Sequence, residues 1–261
     1  MSNVAQFPKS TAKSVTARAL AVLGALSAQE PSMTLSQLAR VAGLPVATVY
    51  RLAGELEEGR FLQRDAAGRY SLGVRMWEMG LLTPVHGHMR EVAMPFLLNL
   101  QYECRETVQL AVCDGVDAVY IEKLTLDTKT PVQSRIGARI PLHATAVGQA
   151  ILASSDQGFI DVISGMPLPR FTDSTVTTPR ALNKLLEQVR EQGFAHSTEE
   201  YVAGSTAIAA PVMVDGKVEA AIGIVNYELR DDLETYVPRM LEAAAGLGRQ
   251  LEELAANPEA H

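Results

Sequence analysis

The sequence predicts an α+β protein in two parts: a winged helix-turn-helix, then a linker helix leading into a larger domain built on an antiparallel sheet. Three observations carry this expectation. The stretch TLSQLARVAGLPVATVYRLAGELEE, Thr34 to Glu58, has the apolar period of two short helices joined by a tight turn. A strand–turn–strand pattern, FLQRDAAGRYSL, follows it directly. Beyond residue 105, two more apolar hairpins with Asp-Gly at their turns are accompanied by amphipathic helices, as in a sheet with helices gathered beside it.

The bulk properties bound the answer. A chain of 261 residues suggests about two domains with real cores. An apolar fraction of 47% and a charged fraction of 20% are ordinary for a soluble protein. No apolar run approaches the ~20 residues of a membrane span, and the opening MSNVAQFPKSTAKSV has no signal-peptide core. The expected compartment is the cytoplasm, with no membrane partner. Cys104 and Cys113 have no metal-like companions and read as free thiols. The net charge of −7 argues against an all-over nucleic-acid binder, but it is unevenly spread. Residues 1–88 hold nine Lys and Arg against six Asp and Glu, a net of +3; the remainder holds 14 against 24, a net of −10. A mildly basic head on an acidic body fits a DNA-contacting domain attached to one with another task.

Residues 1–13 are small and polar and read as a mobile arm; 14–73 form the winged helix-turn-helix, 74–88 the linker helix and 89–261 the second domain. Val15, Ala19, Val22, Leu23 and Leu26 give a first helix. Gln29 to Ser32 is a loop. Thr34 with Gln37 is a capping box, Gly43 suits a left-handed helix end, and Pro45 suits the first turn of the next helix. In that helix Val49, Leu52, Ala53 and Leu56 face inward, leaving Ala47, Thr48, Tyr50 and Arg51 outward. Such a face suits a DNA major groove; the same pattern also fits a helical hairpin packed inside another domain. The wing runs Phe61 to Arg64 and Arg69 to Leu72. Arg64 and Arg69, with Lys9, Lys13 and Arg18, surround the reading helix and suit phosphates. Trp77 and its Met neighbours suggest an interface, and Thr83-Pro84 breaks the helix before a second one carrying Met89 to Leu100.

The second domain is predicted as strands at Thr107–Cys113, Ala118–Leu124, Thr130–Ile136, Ala195–Ser197, Thr206–Val214 and Val218–Val225. Helices are predicted at Thr145–Ala153, Ser155–Gly165, Ala181–Gln192 and Asp231–Ala255. Its sharpest local signal is IPLHATAVGQAILA. A helix starting at Thr145 with small residues in its first turn offers free N–H groups to an anion, and a carboxylate suits Ala146, Val147 and Gly148. Tight helix-on-sheet packing explains the same residues. His143, alone in an apolar context, reads as structural. No G-x-S-x-G, H-E-x-x-H or P-loop pattern is present. Adjacent Glu199 and Glu200 point apart in regular structure, so no catalytic residues, cofactor or metal ligands are assigned.

Taken together, SVTARALAVL, LSQLARVAGLPVATVYRLAGELEEGRFL, YSLGVRMWEMG, Glu106-Thr107-Val108, Asp114-Gly115, GARIPLHATAVGQAILA and EQGFAHSTEEYVAGSTAIAAPV make the chain resemble the IclR family of bacterial transcriptional regulators over about residues 14–255. The resemblance implies a second domain similar to GAF domains, a dimer or dimer of dimers, a palindromic operator DNA as partner, and control by a small organic acid. It places DNA contacts on Thr48, Tyr50 and Arg51, with Arg18 and the wing assisting. It places the effector pocket on Ile140, Thr145, Ala146, Val147, Ser197, Ser205, Ala207, Gly223 and Val225.

Two departures from the family pattern matter. Where some relatives have a carboxylate, thiol or hydroxyls, this chain has Ser197, Ala207, Gly223 and Val225, which implies a roomier, less polar pocket and a bulkier acid, aromatic acids included. Val46 and Ala47 stand where many relatives have polar residues, which implies a reading helix that makes apolar contacts to bases. The alternative is an enzyme converting a small acid in its second domain, its helix-turn-helix incidental; product formation on prolonged incubation decides for it. A scaffold using the helix pair for protein contacts is a third reading, and failure to select any DNA fragment favours that.

Overall fold

The computed structural model of the chain describes residues 14–82, 84–126, 135–227 and 232–256, without the side chains of 84–88. The arm of residues 1–13 with Lys9 and Lys13, residues 130–134 of the expected third strand, and Asp231 lie outside the described residues. The chain divides into two compact units, one ending at Gly87 and the other beginning at His88.

In the first unit, α1 (Val15–Leu23) is started by Ser14, whose Oγ accepts from the Ala17 N–H at 3.1 Å. A two-residue strand β1 (Ser32–Met33) precedes α2 (Leu35–Ala42). The capping box forms: Thr34 Oγ1 accepts from the Gln37 N–H at 3.3 Å, and Gln37 Oε1 accepts from the Thr34 N–H at 2.8 Å. Gly43 ends α2 at φ +66°, a conformation that penalises any side chain with a Cβ. α3 (Val46–Glu58) begins one residue after Pro45, which is its N-cap rather than part of its first turn. β2 (Leu62–Arg64) and β3 (Tyr70–Leu72) pair antiparallel with Gln63 opposite Ser71.

The sheet has three strands in the order β1-β3-β2, because the expected loop at Gln29–Ser32 ends in a strand pairing with β3. Val22, Leu38, Val49, Leu52, Leu62 and Tyr70 fill the core. Val15, one of the apolar positions that indicate the first helix, is exposed, and Leu26 packs against the core from beyond the end of α1. α4 (Val74–Leu81) buries none of its residues within the chain; Trp77 is 65% exposed. α5 (Pro84–Cys104) follows and carries Pro95 internally.

The second unit is a six-stranded antiparallel sheet in the order β6-β5-β4-β9-β8-β7. Its strands are β4 (Thr107–Asp114), β5 (Asp117–Leu124), β6 (Arg139–Pro141), β7 (Ala195–Thr198), β8 (Thr206–Val214) and β9 (Lys217–Asn226). Asp215 at φ +49° and Gly216 at φ +73° make the two-residue turn that matches strand twist between β8 and β9. The β4–β5 turn is Gly115-Val116, one position later than expected, since Asp114 pairs with Asp117. The third strand of the hairpin series lies at Arg139–Pro141; Arg135 and Ile136, expected to end a strand at Thr130–Ile136, are bend and turn.

Beside most of α5, the described residues of this unit form α6 (Ala146–Ala153), α7 (Gln157–Gly165), α8 (Pro179–Gln192) and α9 (Val237–Ala256). α9 is preceded by a separate 3-10 turn, Leu233–Tyr236, where one continuous helix was expected.

Alternation along the strands gives the sheet two unlike faces. Toward α5 and α9 it presents Val108, Leu110, Val112, Ile208, Val212, Ile222 and Ile224, all buried. Each such side chain contributes about 1.5–3 kcal/mol against chain entropy. Toward α6 it presents small residues: Ala111, Ala207, Ala209, Ala221 and Gly223. Every residue of α6 is buried. Gly148 lets the helix lie against the chain preceding it, since a Cβ there would stand 2.6 Å from Leu142 Cα.

Candidate functional site

The exposed side of α3 carries Val46, Ala47, Tyr50 and Arg51, with Thr48 half-buried. Arg51 is held along the helix by Glu55, Nη1 to Oε1 at 2.6 Å, both side chains more than half exposed. The wing arginines differ. Arg64 is exposed over the Tyr70 ring, 5.3 Å from its centroid. Arg69 donates from Nε to Ser32 Oγ at 3.0 Å and from Nη2 to the Ser32 carbonyl at 2.5 Å, binding β3 to β1. The sequence reading missed this because β1 was not expected. Arg18 is half-buried on α1.

The second unit holds a cavity of about 50 Å³ between the start of α6 and the small-residue face of the sheet. Of the nine positions expected there, Thr145, Ala146, Val147, Ser197, Ser205, Ala207, Gly223 and Val225 line it. The ladder explains how positions so far apart in sequence converge. Ser197, Ala207 and Val225 form one row across β7, β8 and β9, and Gly223 lies in the next row beside Ala209. Ile140 is the exception: 1% exposed on β6, it packs in the core beneath α6 and does not line the cavity.

Thr145 caps α6, donating to the Pro141 carbonyl at 2.9 Å and accepting from the Gly148 N–H at 3.3 Å. The N–H groups of Ala146 and Val147 remain without intrahelical acceptors, as at any helix start, and the helix dipole favours negative charge there. Gly223 is required by close approach: a Cβ would stand 2.7 Å from Val147 Cγ1.

The cavity is more polar than its predicted positions implied. Gln109, Tyr120, Tyr201 and Tyr227 also line it, and sequence reasoning passed over all four. Gln109 and Tyr120 looked like ordinary alternating strand residues; their inward parity on the small-residue face was the available signal. Burial, with the nearby Tyr227 and Tyr201, pushes the Tyr120 hydroxyl's pKa well up, so it stays protonated as a potential donor.

Behind this lining lies a buried polar group. Gln149 Nε2 donates to the His143 carbonyl at 3.1 Å and to Glu200 Oε2 at 2.9 Å. Burial pushes the Glu200 carboxyl up to about 7, partly offset by hydrogen bonds from Ser197 and Gln149. His143 Nε2 lies 3.1 Å from the Pro169 carbonyl, and burial lowers its pKa, consistent with a structural histidine. The paired glutamates part company as expected: Glu200 is inside, and Glu199 accepts from the Gly204 N–H at 2.7 Å. Among the described residues no group of three or more His, Cys, Asp or Glu is placed to hold a metal, and no helix is long and apolar enough to cross a membrane.

Residues 15–66 match the IclR helix-turn-helix domain, and residues 84–252, more than half the chain, match the bacterial transcriptional regulator IclR C-terminal domain. The chain belongs to the IclR family. It is 33% identical over 227 residues to the HTH-type transcriptional regulator KipR of Bacillus subtilis, covering 85% of this chain and 91% of that one. It is 30% identical over 240 residues to the regulator XynR of Escherichia coli, covering 90% and 95%. Among solved structures it is similar to an IclR homolog from Microbacterium hydrocarbonoxydans complexed with 4-hydroxybenzoate (31% identity, TM-score 0.86, covering 92% of this chain and 100% of that one). It is also similar to the IclR protein of Thermotoga maritima (27% identity, TM-score 0.75, covering 90% and 97%). As an IclR-family member the chain is an HTH-type, DNA-binding transcriptional regulator, its first unit carrying the helix-turn-helix domain.

Proposed function

We propose that this regulator senses a small carboxylic acid, aromatic acids included, in the cavity at the start of α6, and couples its occupancy to operator affinity. The observation that carries the reading is the cavity itself. An eight-residue helix aims its N-terminus into it, and the sheet wall is kept small by Ala207 and Gly223. The complex of the Microbacterium relative with 4-hydroxybenzoate supports it by analogy. At about 50 Å³ the cavity is smaller than the ~150 Å³ that accepts benzene in a protein interior. Accommodating a ring therefore requires the lining side chains to repack around it.

On the DNA side, α3 reads a major groove through Val46, Ala47, Thr48, Tyr50 and Arg51, with Arg18 and Arg64 available for phosphates, while Arg69 holds the wing to β1 through Ser32. For Arg51 to reach DNA it exchanges Glu55 for a phosphate or base. The working form is a dimer, or a dimer of dimers, on a palindromic operator; the exposed apolar residues of α4 suit such an interface. Effector binding shifts the population between forms that differ in operator affinity.

Titration calorimetry comparing benzoate and 4-hydroxybenzoate with pyruvate and glyoxylate tests the effector class. The aromatic acids are expected to bind more tightly, and the reverse order sinks that assignment. Because coupling is reciprocal, the acid's affinity must differ between free and operator-bound protein; equal affinities contradict the mechanism.

A further inference from the structure

Three buried side-chain nitrogen or oxygen atoms have no hydrogen-bond partner among the described residues: Gln101 Nε2, Gln149 Oε1 and Gln109 Nε2. Of the three residues, only Gln109 lines the cavity. It is 3% exposed on β4 and stands directly opposite Gly223 of β9. Gly223 in turn lies against Val147 in the first turn of α6. Gln109 thus sits on the strand pair that passes beneath the helix start. Its row continues to Lys123 on β5 and, past Gly223, to Ala209 on β8, and on β4 and β9 the next row of that face holds Ala111 and Ala221. A leucine of similar volume would suit such a wall, whereas a buried amide N–H without an acceptor costs stability. An acceptor on a bound ligand satisfies this amide N–H.

We propose that Gln109 determines specificity in the effector pocket, its Nε2 donating to the carboxylate of the bound acid. This inference rests on the effector reading above. A carboxylate offers about four lone-pair sites. The Ala146 and Val147 N–H groups approach from the helix, and Gln109 supplies a donor from the sheet. Three donors from two elements fix the plane of the carboxylate and discriminate against neutral ligands of the same outline.

The test uses the full chain with benzoate and 4-hydroxybenzoate as probes, by titration calorimetry, on the wild type, Gln109→Leu and Gln109→Glu. Gln109→Leu is expected to weaken both acids by the same factor, roughly tenfold, and Gln109→Glu to weaken both further through charge repulsion. In the absence of any acid, Gln109→Leu is expected to melt about 2–4 °C higher than wild type. Wild-type binding with Gln109→Leu within twofold overturns the inference and leaves the effector reading standing. Loss confined to 4-hydroxybenzoate overturns the carboxylate assignment. A lowered melting temperature for ligand-free Gln109→Leu shows that the amide serves the fold, and overturns the inference as well. If the wild type binds neither acid, the effector reading fails and the inference falls with it.

Discussion

Glu200 and His143 lie in one buried polar group, and their proton equilibria oppose each other. The Glu200 carboxyl is pushed by burial from 4.5 up to about 7. Its folded state therefore holds a proton that the unfolded chain releases. The stability this proton provides is present below pH 4.5 and is lost as pH rises through about 7. His143 is lowered from 6.5 by burial, so it costs stability as pH falls below that value. Below pH 6.5 the two contributions act in opposite directions. Glu200→Gln separates the two. Its stability relative to wild type should climb between pH 4.5 and 7 and level off above, as read by urea unfolding at a series of pH values; a pH-independent difference removes Glu200 as a titrating group. Gly148 gives a second prediction at this scale. Ala at this position forces a methyl against the Leu142 backbone, and such overpacking costs about 1–3 kcal/mol, measurable as a lower urea midpoint.

At the scale of the element, α3 combines an ordinary inner face with an unusual outer one. Gly54 is exposed, and a Cβ there would meet nothing within 4 Å. Within the chain, glycine only weakens the helix. Gly54→Ala should stabilise the first unit by about 1 kcal/mol, seen in its melting temperature. If the bare backbone admits a DNA strand closely, the same substitution weakens operator binding in a gel-shift titration; unchanged affinity removes that role. Arg51→Ala should cost ~1–3 kcal/mol of specific binding if Arg51 touches a base, or lower the salt slope by about one if it touches phosphate.

Elements with strong local chemistry were legible in the sequence: the Thr34–Gln37 capping box, the Gly43 stop, the Asp215-Gly216 hairpin and the start of α6. Those defined by partners were not. β1 is two residues long and exists through its pairing with β3. β6 is three residues long and exists through β5. Arg69 reads as a free wing cation until β1 is in place to engage it. The pocket followed the same division: its helix start had a sequence signal, while Gln109 and Tyr120 acquire their meaning only from which face of the sheet they occupy.

At the scale of the whole molecule, the opposite charges of the two parts separate them: the mildly basic first part suits contact with DNA, while in the acidic second part an anion depends on local donors such as the start of α6. An acid held at 100 times its Kd should stabilise the unit from His88 onward by about 2.7 kcal/mol, on the order of 5–10 °C in its melting transition. Calorimetric scans with and without acid check this, and a shift carried mainly by the first unit would place the ligand elsewhere.

The two unlike faces of the β4–β9 sheet have a consequence for how such a molecule diversifies. On the central strands β4, β8 and β9 aliphatic bulk is concentrated on the side packed on α5 and α9, and alternation along each strand separates it from the other side. Exchanging Ala207, which lines the hollow at the start of α6, alters that hollow without reaching the residues packed on α5 and α9. The fold thus separates what it recognises from what keeps it folded, and a lineage can trade one signal molecule for another in single steps while its scaffold stays intact.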